Sequence, residues 1–310
     1  MKLLYLSALS FVFVSSFALS VSQNRLKTIY PTTPAFSQSQ LPILSKTTSF
    51  PLVSAQGVIA MDLNSAVVLY EKNANSKLLP ASTTKIMTAL VALDHFKQDE
   101  VIKVGAIKNV SDSQVMGLFE GEEITFRGLL DGLLIYSAND AAEALAIAYP
   151  GGREGFINAM NQKAQDLGLA NTHFVNPSGL DEEGHFSTAR DMVRLAAFGV
   201  SDPIFSEVVS TKEKVVKSVD GNFNHYLKNI NKLLGSVDGV VGIKTGWTEN
   251  ARENLITAVK RGDRTILIGI LGSQDRFGET KEIIDWVFSS YMWTNITPFS
   301  QTEEKITKIF

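Results

Sequence analysis

Three short polar motifs contain the residues of this chain whose types and spacing suit a chemical reaction. Ser82 precedes Lys85 by three residues, Ser137 and Asn139 flank a single alanine, and Lys244-Thr245-Gly246 follows much later. In this order they supply a hydroxyl nucleophile with an amine base, a second hydroxyl with an amide, and a cationic anchor. Such a set suits a serine acyl-transfer enzyme that acts on a peptide ending in a free carboxylate.

The first motif predicts a nucleophile and its base. Residues three apart on a helix share a face, so the Lys85 amine would lie beside the Ser82 hydroxyl. An ammonium ion cannot accept a proton, so Lys85 must be neutral to act. Burial, the charge of Lys244 and the start of a helix would all lower the pKa of Lys85. An isolated Ser-x-x-Lys would more often be a helix-capping serine followed by a solvated lysine.

The second motif predicts a proton relay. Ser137 would pass a proton to the leaving amine, while the Asn139 amide would hold the substrate backbone and Lys85. The alternative is a helix cap, which Ser, Asn and the following Asp140 all favour. For this segment taken alone, the cap is the better interpretation.

The third motif predicts a substrate anchor at the end of a β-prone run that begins at Val240. Lys244 and Thr245 bind a carboxylate by charge and hydroxyl, and Gly246 lets a substrate backbone come close. We expect the backbone N–H groups of Trp247 and Ser82 to form an oxyanion hole. The alternative is a turn carrying a solvated lysine.

Composition excludes several other functions. The chain has 310 residues with a net charge of −3, so no basic footprint for nucleic acid is present. It has no cysteine, which excludes disulfides, thiolate catalysis and cysteine-based metal sites. We expect no metal and no cofactor, because the histidines lack ligand spacing; they are His95, His173, His185 and His225.

The N-terminal residues indicate export. Lys2 precedes an uncharged, mostly apolar run from Leu3 to Val21, and Ala18-Leu19-Ser20 suits a cleavage site. Residues 1–21 are therefore predicted to be a signal peptide, with an uncleaved membrane anchor as the alternative. Residues 22–51, rich in Ser, Thr, Gln and Pro, are predicted to be a flexible linker.

The remaining pattern predicts an α/β (α+β) catalytic domain at 52–292. Its α/β part comprises 52–98 and 238–292, and a mostly helical part occupies 99–237, with a short tail at 293–310. Two strands come early, around a turn at Asn64-Ser65, and three come late. An antiparallel sheet of about five strands, built from both chain ends and flanked by helices, is the economical arrangement.

Longer segments around the motifs resemble one enzyme family, the serine D-alanyl-D-alanine carboxypeptidases of peptidase family S11, or low-molecular-mass penicillin-binding proteins. The resemblance covers roughly Ala55 to Trp286 and is specific. The segments that carry it are Pro80–Thr88, Leu133–Ala141, Met160–Ala164, Leu167–Leu169, Asn176–Asp181 and Val241–Gly246.

The resemblance implies the penicillin-binding protein/β-lactamase-like fold and an acyl-enzyme on Ser82. It further implies removal of the terminal D-alanine from peptidoglycan stem peptides, inhibition by β-lactams, and a bacterial cell-envelope location. Three departures stand out: Ala138 replaces a glycine common in the second motif, Arg252 occupies a place where glycine is common, and only 293–310 follow the last helix. We therefore expect no C-terminal β-rich domain, so any membrane attachment would fall to the N-terminal segment.

Three alternatives remain open at this level. A class A β-lactamase shares the motifs but needs a general-base glutamate; Glu154 lies only 15 residues after Asn139, within an amphipathic helical pattern, and is interpreted as structural. A DD-endopeptidase would cleave cross-links instead of free stem peptides. A non-catalytic wall-binding homologue would have lost motif residues, all of which are present here.

Overall fold

The computed structural model describes residues 40–46, 49–107 and 114–295. The predicted signal peptide or anchor, and the predicted linker up to residue 39, lie outside these ranges. Across the described residues, no helix combines the length and the apolar character needed to cross a membrane.

The described ranges contain eleven strands and seven α-helices. The strands are β1 (Gln40–Leu44), β2 (Gly57–Asp62), β3 (Val68–Lys72), β4 (Val101–Lys103), β5 (Glu123–Thr125), β6 (Glu213–Lys217), β7 (Asn224–Lys228), β8 (Val240–Thr248), β9 (Arg252–Arg261), β10 (Arg264–Ser273) and β11 (Tyr291–Asn295). The helices are α1 (Lys85–His95), α2 (Phe126–Asp131), α3 (Asn139–Ala148), α4 (Gly152–Asp166), α5 (Ala189–Ser201), α6 (Pro203–Val209) and α7 (Arg276–Ser290). A 3-10 turn at Ala81–Thr84 precedes α1, and a π-helical turn at Gly132–Tyr136 continues α2.

A five-stranded antiparallel sheet forms the centre, in the order β3-β2-β10-β9-β8. Two strands come from the early part of the chain and three from the late part, so the predicted sheet is confirmed. Both predicted hairpins are present: β2 turns into β3, and β9 turns into β10 at Gly262-Asp263.

Side chains alternate between two cores on opposite faces of this sheet. Ile59, Ile256 and Leu267 face the helical core, whereas Val58 and Ile268 face the core covered by α7. Because both faces are covered, the strands read as nearly continuous apolar runs.

Helix α1 lies in the middle of the helical core. Its residues from Lys85 to Ala92 are all buried, which is the expected environment for a helix that is apolar on every side. The consequence for chemistry is that Lys85, the first residue of α1, is completely buried.

The structure corrects two boundaries. Gln40–Leu44, which we predicted to be flexible linker, is a strand that pairs with β11, and β11 extends into the predicted tail to Asn295. The backbone hydrogen bonds of this non-local pair hold both segments. The predicted helical block also contains two hairpins, β4–β5 and β6–β7.

Candidate active site

The Ser82 turn is shaped by tight backbone packing. Thr83 donates from both its N–H and its hydroxyl to the Pro80 carbonyl, at 3.2 and 2.6 Å. Ala81 has a φ of +48°, which is uncommon for a residue with a side chain. Gly179 packs against this turn so closely that a Cβ there would lie 1.9 Å from the Ala81 carbonyl oxygen. These contacts place the Ser82 hydroxyl at the wall of a cavity.

The Lys85 amine is surrounded by three oxygen atoms. Its Nζ lies 2.9 Å from Ser82 Oγ, 2.7 Å from Asn139 Oδ1 and 2.6 Å from the Ser178 carbonyl oxygen. Burial lowers the pKa of Lys85 to about 7, against the opposing charges of Glu143 and Asp140. A neutral amine has two hydrogens and one lone pair. Of the three neighbours only the Ser82 hydroxyl carries a hydrogen, so the lone pair accepts from Ser82.

The second motif sits in a strained turn between two helical segments. Ser137 ends the π-helical turn with a φ of +68°, and Asn139 begins α3. Both π-helical turns and left-handed residues occur frequently at functional sites. Ser137 and Asn139 line the same cavity as Ser82. The sequence prediction of a helix cap is partly right, because Asn139 is also the first helical residue.

The third motif lies within β8, the last strand in the sheet order. A Cβ on Gly246 would be 3.1 Å from the Ser82 backbone nitrogen, so only a glycine lets β8 come this close. The buried Thr245 Oγ1 has no hydrogen-bond partner among the described residues and lies at the cavity. Trp247 follows at the cavity rim with its side chain 62% exposed.

Lys244 is buried behind this wall. Its Nζ donates to the Thr245 carbonyl oxygen at 3.0 Å. Burial lowers the pKa of Lys244 well below its usual range, and the charges of Lys85 and Arg276 lower it further. We expected the charge of Lys244 to lower the pKa of Lys85; burial accounts for that shift instead, and Lys244 is the lysine whose pKa responds to its neighbour.

The cavity has a volume of about 330 Å³ and brings most predicted residues together. Of the predicted set it is lined by Ser82, Ser137, Asn139, Thr245, Gly246 and Trp247. Lys85 and Lys244 lie behind its surface. All three motifs therefore meet at one place, between the sheet and the helical part.

Sequence reasoning missed Arg276 at this site. It is the first residue of α7 and lines the cavity, with Nη1 donating to the Gly246 carbonyl oxygen at 2.7 Å. Its backbone N–H donates to Glu253, and its Nε has no partner among the described residues. A lone arginine 30 residues after the third motif carries no sequence signal. Ser178 and Gln114 were missed as well, since both act through backbone carbonyls.

Neither His185 nor Glu154 takes a catalytic position. The Val175 N–H donates to His185 Nδ1, so the proton of the neutral ring lies on Nε2, which donates to Thr84 at 2.8 Å. Burial lowers the pKa of His185 to about 4, which keeps the ring neutral. Glu154 is exposed on α4 and is not among the residues that line the cavity. Its interpretation as a structural residue agrees with this position.

Comparison with known proteins identifies the family. A family model described as D-alanyl-D-alanine carboxypeptidase, peptidase S11, matches residues 44–275. DacF of Bacillus subtilis is 33% identical over 84% of this chain and 69% of its own length. DacC of Escherichia coli is 37% identical over 85% and 68%, respectively. Both relatives are named D-alanyl-D-alanine carboxypeptidases.

Solved structures agree with this result. The Streptomyces K15 DD-transpeptidase has a TM-score of 0.73 at 32% identity, covering 78% of this chain and all of that one. A D-alanyl-D-alanine carboxypeptidase from Mycobacterium tuberculosis also has a TM-score of 0.73, at 31% identity, with 83% and 97% covered. The predicted penicillin-binding protein fold is confirmed. On its sequence and its fold alike, the chain belongs to the D-alanyl-D-alanine carboxypeptidase family of serine peptidases, peptidase S11.

Proposed function

We propose that the protein removes the terminal D-alanine from peptidoglycan stem peptides through an acyl-enzyme on Ser82. The observation that carries this proposal is the fully buried Lys85 amine, 2.9 Å from the Ser82 hydroxyl and with its pKa lowered to about 7. A neutral amine at this distance is a base for the hydroxyl proton.

The residues divide the reaction between them. Ser82 Oγ bonds to the carbonyl carbon of the penultimate residue while its proton moves to Lys85 Nζ. The developing oxyanion accepts hydrogen bonds from the Ser82 and Trp247 N–H groups. The carbon–nitrogen bond then breaks, and Ser137 transfers the proton from Lys85 to the departing D-alanine amine. Water releases the shortened peptide by the same route in reverse. Asn139 orients Lys85.

The free carboxylate of the substrate is bound at the sheet side of the cavity. Thr245 offers a hydroxyl that lacks a partner among the described residues, and Arg276 offers an Nε–H in the same condition. Lys244 contributes positive potential from behind the wall. This anchor explains a requirement for a carboxyl-terminal residue, and it favours carboxypeptidase activity over cleavage of internal bonds.

β-Lactams fit the same site as substrate analogues whose acyl-enzyme hydrolyses slowly. The exposed Glu154 cannot activate a deacylating water from its position on α4, so we expect a long-lived penicilloyl-enzyme and no rapid β-lactam turnover. The substrate places the protein at the bacterial cell envelope. Attachment to the membrane through residues 1–21 remains a prediction from the sequence.

Release of D-alanine from a stem pentapeptide tests the proposal. Wild-type protein should release it and label with a fluorescent penicillin, and Ser82→Ala should do neither. Lys85→Arg, which keeps the charge but cannot become a neutral base at these pH values, should also be inactive. Equal release by wild type and Ser82→Ala would refute the assignment.

Cross-linked muropeptides separate the carboxypeptidase from an endopeptidase. A relative named D-alanyl-D-alanine endopeptidase, from Pseudomonas aeruginosa, is 32% identical over 76% of this chain and 77% of its own length. Cleavage of dimeric muropeptides together with inactivity on the monomeric pentapeptide would therefore replace the carboxypeptidase proposal with that activity.

A further inference from the structure

A buried histidine–carboxylate pair lies outside the three motifs. His225, on the inward face of β7, places Nε2 2.7 Å from Glu122 Oε1. Its other nitrogen, Nδ1, lies 3.0 Å from the Met116 carbonyl oxygen. Both side chains are buried, and neither residue lines the catalytic cavity.

The chemistry of these partners fixes the orientation of the ring. A carbonyl oxygen can only accept, so His225 Nδ1 carries a hydrogen and donates it to Met116. A proton must also lie between Nε2 and Glu122, because two lone pairs would repel each other at 2.7 Å. His225 therefore ties the Met116 backbone to Glu122 through two hydrogen bonds.

Met116 belongs to a segment that holds the second motif. The backbone N–H groups of Met116, Gly117 and Leu118 donate to the two carboxylate oxygens of Asp140, at 3.0, 2.9 and 3.0 Å. Asp140 directly follows Asn139. The loop backbone is thus fastened to the first turn of α3.

The same segment also braces the strained turn at Ser137. The Gln114 carbonyl oxygen accepts from the Asn139 N–H at 2.7 Å, and the Gln114 side chain donates to the Tyr136 carbonyl oxygen at 2.7 Å. Gln114 therefore grips the turn on both sides. Any shift of this segment is transmitted to Ser137, and through Asn139 to Lys85.

We propose that His225 is a positioning residue for the reaction: it clamps the Gln114–Leu118 segment so that Ser137 and Asn139 keep their alignment with Lys85. The inference rests on the proposed function, because it assigns His225 a part in that reaction. It acts through the Met116 carbonyl, and the carboxylate anchors Thr245 and Arg276 lie on other elements. Loss of the clamp should therefore lower kcat and leave KM unchanged.

Two amide replacements distinguish the two hydrogen bonds of the ring. Both are made in a Glu122→Gln background, where a neutral His225 keeps its bond to Met116 and accepts from the new amide. His225→Asn places an amide nitrogen near the position of Nδ1 and can still donate to Met116. His225→Gln places its amide near the position of Nε2 and loses the bond to Met116.

The measurements are kcat and KM for D-alanine release, the rate of acylation by a fluorescent penicillin, and the unfolding temperature. We expect His225→Asn to stay within about twofold of its background and His225→Gln to lose about tenfold in kcat, since small misplacements of reacting groups cost this much or more. Val287→Ala, in the core on the far side of the sheet, serves as a control that lowers stability alone. If His225→Gln does not fold, His225→Phe replaces it with the same expectation.

Equal losses for the Asn and Gln variants, losses that follow unfolding temperature as in Val287→Ala, or no loss in either variant would overturn the inference. The wild-type rate, measured first, reports separately on the proposed function. A wild type that neither releases D-alanine nor labels with penicillin would refute that function and not merely the role of His225.

Discussion

The pH dependence of acylation tests the assignment of Lys85 as the base. Burial lowers its pKa from 10.5 to about 7. About half of the molecules then hold a neutral amine at pH 7, whereas an unshifted lysine would be neutral in only about one molecule in three thousand. Acylation should therefore fall tenfold for each pH unit well below 7, and it should level off above pH 7 to 8.

One substitution should move this profile in a known direction. The charge of Glu143 raises the pKa of Lys85, so Glu143→Gln should shift the acid limb to lower pH and speed acylation at pH 6. Glu154→Gln removes the same charge from an exposed position on the neighbouring helix, and Glu154 is not among the groups that act on Lys85. It is the matched control and should leave the profile in place.

The assay is rapid-mixing fluorescence with a labelled penicillin between pH 5 and 10 at constant ionic strength, with circular dichroism to confirm folding at each pH. Three results would contradict the reasoning about Lys85: a midpoint above pH 9, a rate independent of pH, or identical shifts for Glu143→Gln and Glu154→Gln. Each would mean that burial of Lys85 does not set the protonation state that acylation requires.

Three further predictions concern the anchor, the turn and stability. Thr245→Val, nearly identical in shape, should lower kcat/KM by about 10- to 100-fold for a pentapeptide, corresponding to the loss of a hydrogen bond to a charged group, and should leave the already poor hydrolysis of its C-terminal amide unchanged. Gly179→Ala must displace the Ala81 carbonyl, 1.9 Å from the new Cβ, so penicillin labelling should be lost even where circular dichroism shows a folded protein. Because the folded pKa of Lys85 lies below the unfolded value, the unfolded state binds more protons between pH 7 and 10.5; urea unfolding should show wild type gaining up to about 5 kcal/mol relative to Lys85→Met over that window, and parallel curves would exclude the burial argument.

The sheet could be predicted because its signals are local. Turn residues at Asn64-Ser65 and Gly262-Asp263 separate apolar runs, and each run forms a strand of the central sheet. The hairpins β4–β5 and β6–β7 were missed because their strands are short and partly polar, as in Val101-Ile102-Lys103. The pairing of β1 with β11 joins segments about 250 residues apart, and no local pattern encodes such a contact.

The site shows a different limit. The three motifs could be found because side chains do their chemistry, and side-chain identity is what a sequence records. Ser178 and Gln114 contribute backbone carbonyls, which every residue has, so their identity gives no signal. Arg276 reaches the cavity only because α7 begins beside β8, which is a consequence of sheet order. The sequence thus reveals the reacting groups, and the fold reveals what holds them.

The three acceptors around Lys85 also explain how a buried amine can exchange protons without rearrangement. In the neutral state its two hydrogens go to Asn139 and Ser178, and its lone pair faces Ser82. When it takes the Ser82 proton, the ammonium has three hydrogens for the same three oxygens, and only the direction of the Ser82 hydrogen bond reverses. A site whose dipoles are already in place for the charged state needs little reorganisation when the charge appears. Burial therefore makes Lys85 a base, and the fixed oxygens of Asn139 and Ser178 keep its protonated form within reach.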